Sequence, residues 1–216
     1  MKKIFALLLA VLMIFALVAC SEEKDTGRDR KKKDDDKKLA LGKVIGTTYE
    51  NAFIGIGCTL DAGWTFKTEK EIKEINSLVE DAAGEDLAEA LENATIIYDM
   101  YVTGPNGMDS INVNLEKVSK SRLNKLDIST NYVNSFPALK QTLLNMGCSN
   151  ISYTIGAVTI DGEVFDTMNI EASINGIKVY ETIFSIKCDG YLANITVGTY
   201  YTNGTAALLE AFYLVD

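Results

Sequence analysis

Three two-residue turn signals, Asp161-Gly162, Asn175-Gly176 and Asp189-Gly190, recur every 14 residues within 151–201. Asp-Gly and Asn-Gly suit two-residue hairpins, because Gly and Asn tolerate the positive φ that such turns require. The runs between them are rich in Ile, Val, Thr, Tyr and Phe, residues that fit a pleated, half-buried surface. The spacing predicts four long antiparallel strands in a meander. Two-residue turns also fix register. Ile174 should face Ile177, Ala172 Val179, Met168 Ile183, Ile155 Met168, and Tyr153 Ile170. That makes one face apolar over the first three strands. The other face carries Val158, Ile160, Phe165, Phe184, Ile186, Ala193, Ile195 and Val197, with Phe184 expected opposite Ile195, Phe165 opposite Ile186, and Phe184 under a helix. Both faces need cover. The polar remainder of the second face, Thr167, Asn169, Glu171, Ser173 and Lys178, reads as a solvated patch and a candidate binding surface.

The N-terminus reads as an address. Met1-Lys2-Lys3 precedes an unbroken apolar run, Ile4–Leu17. That run is too short for a mature span and has the length of a signal-peptide core. Leu17-Val18-Ala19-Cys20 resembles the bacterial lipobox, with an aliphatic residue three before a Cys and small residues between. The resemblance implies that the Cys20 thiol receives a diacylglyceryl group and that a signal peptidase cuts between Ala19 and Cys20. Two or more acyl chains, each methylene contributing about 0.8 kcal/mol, hold a protein stably at a membrane. The partner so implied is the membrane itself, through Cys20, on the extracytoplasmic face of the cell membrane. Ser21–Lys38 contains no large apolar residue, so it reads as a disordered tether. Its end-to-end distance would be roughly 25 Å. Asp34–Asp36 cancels Lys31–Lys33, which leaves a solvated spacer. The expected organisation is signal peptide 1–19, lipidated Cys and tether 20–38, and one globular domain 39–216.

Charge and composition narrow the chemistry. The whole chain has net charge −9. Residues 39–216 hold eleven Lys/Arg against 23 Asp/Glu, or −12. Nucleic-acid binding needs a basic footprint, so it is not expected. His is absent, which removes the commonest general base, triad member and metal ligand. Cys58, Cys148 and Cys188 have no Cys-x-x-Cys spacing, so neither zinc nor redox chemistry is indicated; whether Cys148 and Cys188 pair is open at this level. Glu80-Asp81 and Glu85-Asp86 around Gly84 could supply calcium oxygens. As residues that favour a following helix N-terminus they need no ion. No cofactor is expected. A carboxylate pair assembled in space would be the one route to hydrolysis.

The remaining chain supplies the cover. Short strands are expected in 39–50 and 53–60, then a turn at Asp61–Trp64. Thr68-x-x-Glu71 is a capping box. It opens a helix with Ile72, Ile75, Leu78, Val79 and Ala82 on one stripe, stopped by Gly84. A second short helix spans 85–93. Ile96–Thr103 and Ser110–Val118 form a hairpin about Pro105-Asn106-Gly107. There Ile111, Val113 and Leu115 alternate with Asn112, Asn114 and Glu116, which predicts a half-exposed strand. Ser129–Met146 is helical and contains Pro137. Asn203 caps a closing helix with Leu208, Leu209 and Phe212. The class is α+β, a large antiparallel sheet covered by helices.

Tyr49-Glu50-Asn51, Phe53-Ile54-Gly55 and Leu60-Asp61-Ala62-Gly63-Trp64 resemble the opening of PsbP-like domains. That opening has Tyr-x-Asn, an aromatic-x-Gly strand and a Leu-Pro-x-Gly-Trp turn. Asp61 stands where the pattern favours Pro, and Cys58 where it favours an aromatic. The resemblance covers about 39–216 and implies an α/β/α sandwich. Plant members support the manganese–calcium site of photosystem II and a eukaryotic relative binds a small GTPase, so the fold is implied and no shared activity is. The expected function is a non-catalytic, membrane-anchored binding or scaffolding domain of the envelope, with an envelope protein or a small ligand as partner. The alternative is an envelope hydrolase built on a carboxylate pair.

Overall fold

A computed structural model of the chain describes residues 39–80 and 96–215, without the side chains of 75–80. The lipobox, the tether, the 85–93 helix and, of the acidic cluster, Asp81, Glu85 and Asp86 lie outside the described residues. Seven antiparallel strands form the main sheet, in the order β4-β5-β6-β10-β9-β8-β7. These are β4 (Thr65–Phe66), β5 (Ile96–Thr103), β6 (Ser110–Lys117), β7 (Cys148–Ile160), β8 (Glu163–Ile174), β9 (Ile177–Cys188) and β10 (Tyr191–Tyr200). The meander is as the turn signals predict. All three connections are two residues long, and Asp161, Asn175 and the three glycines have positive φ. Met168 faces Ile183, Ile174 faces Ile177, and Phe184 faces Ile195. One expected pair does not form, because the β8–β9 ladder ends at Thr167–Phe184. Phe165 instead lies against the Phe184 ring, with centroids 5.7 Å apart.

Helices cover one face. α1 (Glu69–Glu80) rests on β5. Its capping box is formed: the Thr68 N–H donates to Glu71 Oε2 at 2.8 Å, and the Glu71 N–H donates to Thr68 Oγ1 at 3.2 Å. α2 (Lys120–Lys125) is a short helix capped by Ser119 that seats Leu123 against Val118 and Leu192. α3 (Ile128–Asn145) is capped by Asp127 and continues through Pro137, at the loss of one intrahelical bond. It presents Tyr132, Phe136, Leu139 and Leu143 to Met168, Ile170, Ala172, Val179 and Ile183.

The second face departs from an α/β/α sandwich. Its cover is mainly a second, four-stranded sheet, β1-β2-β3-β11, made of β1 (Lys43–Ile45), β2 (Thr48–Asn51), β3 (Ile56–Thr59) and β11 (Phe212–Leu214). The closing helix α4 stops after Thr205–Leu209. Phe212 is therefore in a strand opposite Cys58, not in a helix. Its ring meets Phe184 edge-on at 5.6 Å. Helical and alternating spacing are both satisfied by so short an apolar run, so periodicity alone does not separate them. Tyr49, Phe53, Ile56, Cys58 and Phe212 of this layer pack on Ile97, Val113, Leu115, Phe184 and Ile195 of the main sheet.

Candidate functional site

Asp99 ties the Tyr49-x-Asn51 segment to the main sheet. It sits at the β5 bulge between Tyr98 and Met100. Its carboxylate accepts from Tyr49 Oη at 2.6 Å, Asn51 Nδ2 at 2.6 Å and the Gly42 N–H at 2.8 Å. Asn51 Oδ1 also accepts from the Phe53 N–H at 2.8 Å. The Tyr-x-Asn pattern is thus a structural clamp. Loss of water raises the pKa of Asp99 despite its three donors.

The α3 face of the central strands corrects the sequence expectation for β6. Asn112, Asn114 and Glu116 are buried, at 0–4 % exposure. Alternation does reveal that β6 has one polar face; it carries no signal on whether that face meets water or another layer. Part of the polar face is a hydrogen-bonded chain. Asn194 Nδ2 donates to Asn114 Oδ1 at 3.3 Å, Ser185 Oγ donates to Asn194 Oδ1 at 2.7 Å, and Tyr132 Oη lies 2.8 Å from Ser185 Oγ. Next to it, both amide atoms of Asn112, Thr196 Oγ1 and Glu181 Oε1 are buried without a hydrogen-bond partner among the described residues. Burial pushes the Glu181 carboxyl up to about 7.

Glu116 and Glu181 do not form a hydrolytic pair. Glu181 stands opposite Gly198, and Gly198 opposite Ser110. Glu116 is six residues further along β6, or about 20 Å away. Glycosidases hold their carboxylates roughly 5–9.5 Å apart. The thiols are likewise quiet. Cys58, Cys148 and Cys188 are all free. Burial pushes Cys58 and Cys188 up to about 12, which keeps them as thiols and poor nucleophiles. Cys148 pairs across to Ile174, which leads through the turn to Ile177, and Cys188 is eleven residues further along β9, roughly 37 Å.

The polar patch on the second face of the meander is concave. Beyond the reach of the small sheet, β7, β8, β9 and the turn before α4 enclose a hollow of about 430 Å³. Its side-chain lining is Ser152, Thr154, Asn169, Glu171, Tyr180 and Thr182, with Asn203 as a wall. The register places them in two rows, Ser152-Glu171-Tyr180 and Thr154-Asn169-Thr182. The second row is held from behind. Asn169 Nδ2 donates to Thr167 Oγ1 at 3.2 Å, and Thr182 Oγ1 lies 2.9 Å from both Asn169 Oδ1 and Thr205 Oγ1. Thr205 Oγ1 in turn donates to Asn203 Oδ1 at 3.0 Å. Of the expected patch residues, Asn169 and Glu171 line the hollow, Thr167 is buried behind it, and Lys178 is exposed outside it. Tyr180, Thr182 and Asn203 were not expected there; the meander register would have placed the first two.

Among the described residues, no group of three His, Cys, Asp or Glu is placed to hold a metal, and no helix is long and apolar enough to cross a membrane. No protein-family model matches the chain, and no curated protein does. Among solved structures, it resembles the solution structure of cyanobacterial PsbP (CyanoP) from Synechocystis sp. PCC 6803. That neighbour is a PsbP protein. The match has 12% identity and a TM-score of 0.48, and covers 82% of this chain and 94% of the other.

Proposed function

We propose that the chain is a PsbP-like, non-catalytic binding domain, anchored at the extracytoplasmic membrane face through lipid on Cys20, whose outer hollow takes a neutral, hydroxyl-rich ligand of the envelope such as a saccharide. The hollow is the observation that carries this. Its volume lies in the small-ligand range. Hydroxyls and amides both donate and accept, which matches ligand hydroxyls. Tyr180 adds an apolar ring with a polar tip. The lining contains no Lys or Arg, and the domain around it is acidic, so phosphates and carboxylates are disfavoured. The hydrogen-bonded row from Thr167 to Asn203 is preorganised, which limits the ordering cost of binding.

Calorimetric titration tests this. Neutral envelope oligosaccharides should bind, phosphate and citrate should not, and Glu171→Ala and Tyr180→Ala should each weaken binding while leaving the melting temperature in place. Preference for the anions, or saccharide binding that both substitutions leave untouched, overturns it.

A further inference from the structure

β7 is the outer strand of the main sheet. β8 pairs one side of it from Cys148 to Ile160, and no described strand pairs the other. It is 13 residues long, whereas β4 at the opposite edge has two. Among the described residues, the backbone groups of β7 bond only to β8. Proteins guard such edges with Lys, Pro or an inward charge. Cys148–Ile160 contains no Pro and no charged residue, and its one register shift, between Ser149 and Ser152, is confined to one end. Neutrality that suits a central strand such as β10 stands here at an edge.

We propose that β7 pairs antiparallel with β7 of a second copy of this chain, joining two main sheets into one. Residues 39–216 carry −12, so two copies repel over most of their surface. An uncharged edge is where they can approach. A partner strand here must be extended, of similar length and free of charge, and β7 itself meets all three conditions. A two-fold axis normal to the sheet makes the contact isologous. It continues the Tyr153-Ile155-Ala157 row of one copy into the same row of the other, and satisfies about a dozen edge N–H and C=O groups. The same axis sets the two outer hollows on one face of the joined sheet, since Ser152 and Thr154 line both the edge and the hollow.

Cross-linking of the full chain in its own membranes tests this. Cys is introduced singly at Thr154, Ala157 and Thr159, all exposed, and a short bis-maleimide is added. The buried Cys58 and Cys148 and half-buried Cys188 set the background in the parent chain. At least one β7 position should give a covalent dimer, and Lys178→Cys, exposed on β9, should not. Adding Ala157→Lys to Thr154→Cys should abolish the dimer with an unchanged melting curve, and Thr159→Lys serves if Ala157→Lys disturbs folding. The proposal is overturned if no β7 position exceeds Lys178→Cys, or if the dimer survives a folded Lys variant.

Discussion

Glu181→Gln should remove a pH dependence of stability that is built into the main sheet. Glu181 is buried on β9 beside Tyr200 and Tyr101, and its carboxyl is pushed up to about 7. Burial is the cause, and no cation opposes it. In the unfolded chain the same group titrates near 4.3. Between those values the folded state holds a proton that the unfolded state has lost. The Glu181 contribution is therefore fully present below about pH 4, and it is lost as pH rises through 7. Over that window the loss amounts to about 4 kcal/mol, at 1.36 kcal/mol per pKa unit. Gln has the same shape and cannot ionise. Urea denaturation from pH 5 to 8.5 should show the parent losing stability relative to Glu181→Gln up to about pH 7 and levelling off above it, with the variant the more stable by pH 8.5. Asp99, also raised, contributes equally to both proteins and cancels in the difference. Parallel stability curves across the window would show that Glu181 is not held neutral, and the burial argument for it would fail.

Other expectations are simpler. Phe184→Ala should cost about 3–5 kcal/mol in denaturant melts, because Phe184 is fully buried between Phe165 and Phe212; Lys178→Ala, exposed opposite Ser173, should be near neutral, and equal effects would contradict the register. Asp99→Ala removes the shared acceptor of Tyr49, Asn51 and Gly42 and should cost about 2–4 kcal/mol, with faster amide exchange in β2 as the local sign; unchanged exchange there would show that the clamp is not what holds the small sheet. Cys20→Ser should leave the precursor unprocessed or release it from membranes in detergent phase partitioning, and unchanged partitioning and processing would remove the lipid anchor.

What the chain declared in its sequence was local. The meander rests on three turns whose residues set their own φ, so strand order and facing residues followed without tertiary information. The capping box at Thr68 and Glu71 is of the same kind. Three features depend on partners far along the chain. Asp99 finds its donors 48–57 residues away. The burial of Asn112 and Glu116 depends on what lies over β6, to which alternation is blind. Phe212 is drawn into a strand by pairing with Cys58, which outweighs a helical spacing only a few residues long. The outer hollow stands between these cases. Its polar floor at Asn169 and Glu171 was legible as the residue set left over when the apolar faces were assigned, whereas its wall at Asn203 required the path of the chain into α4.

Amide chemical-shift mapping tests the binding reading most directly. Saccharide fragments of the envelope are titrated into the isotope-labelled chain, with phosphate as the comparison. Shifts should concentrate at 152–154, 169–171, 180–182 and 203 with saccharide and be missing with phosphate. Saccharide shifts confined to the α3 side of the sheet, or a response at the hollow to phosphate alone, would contradict it.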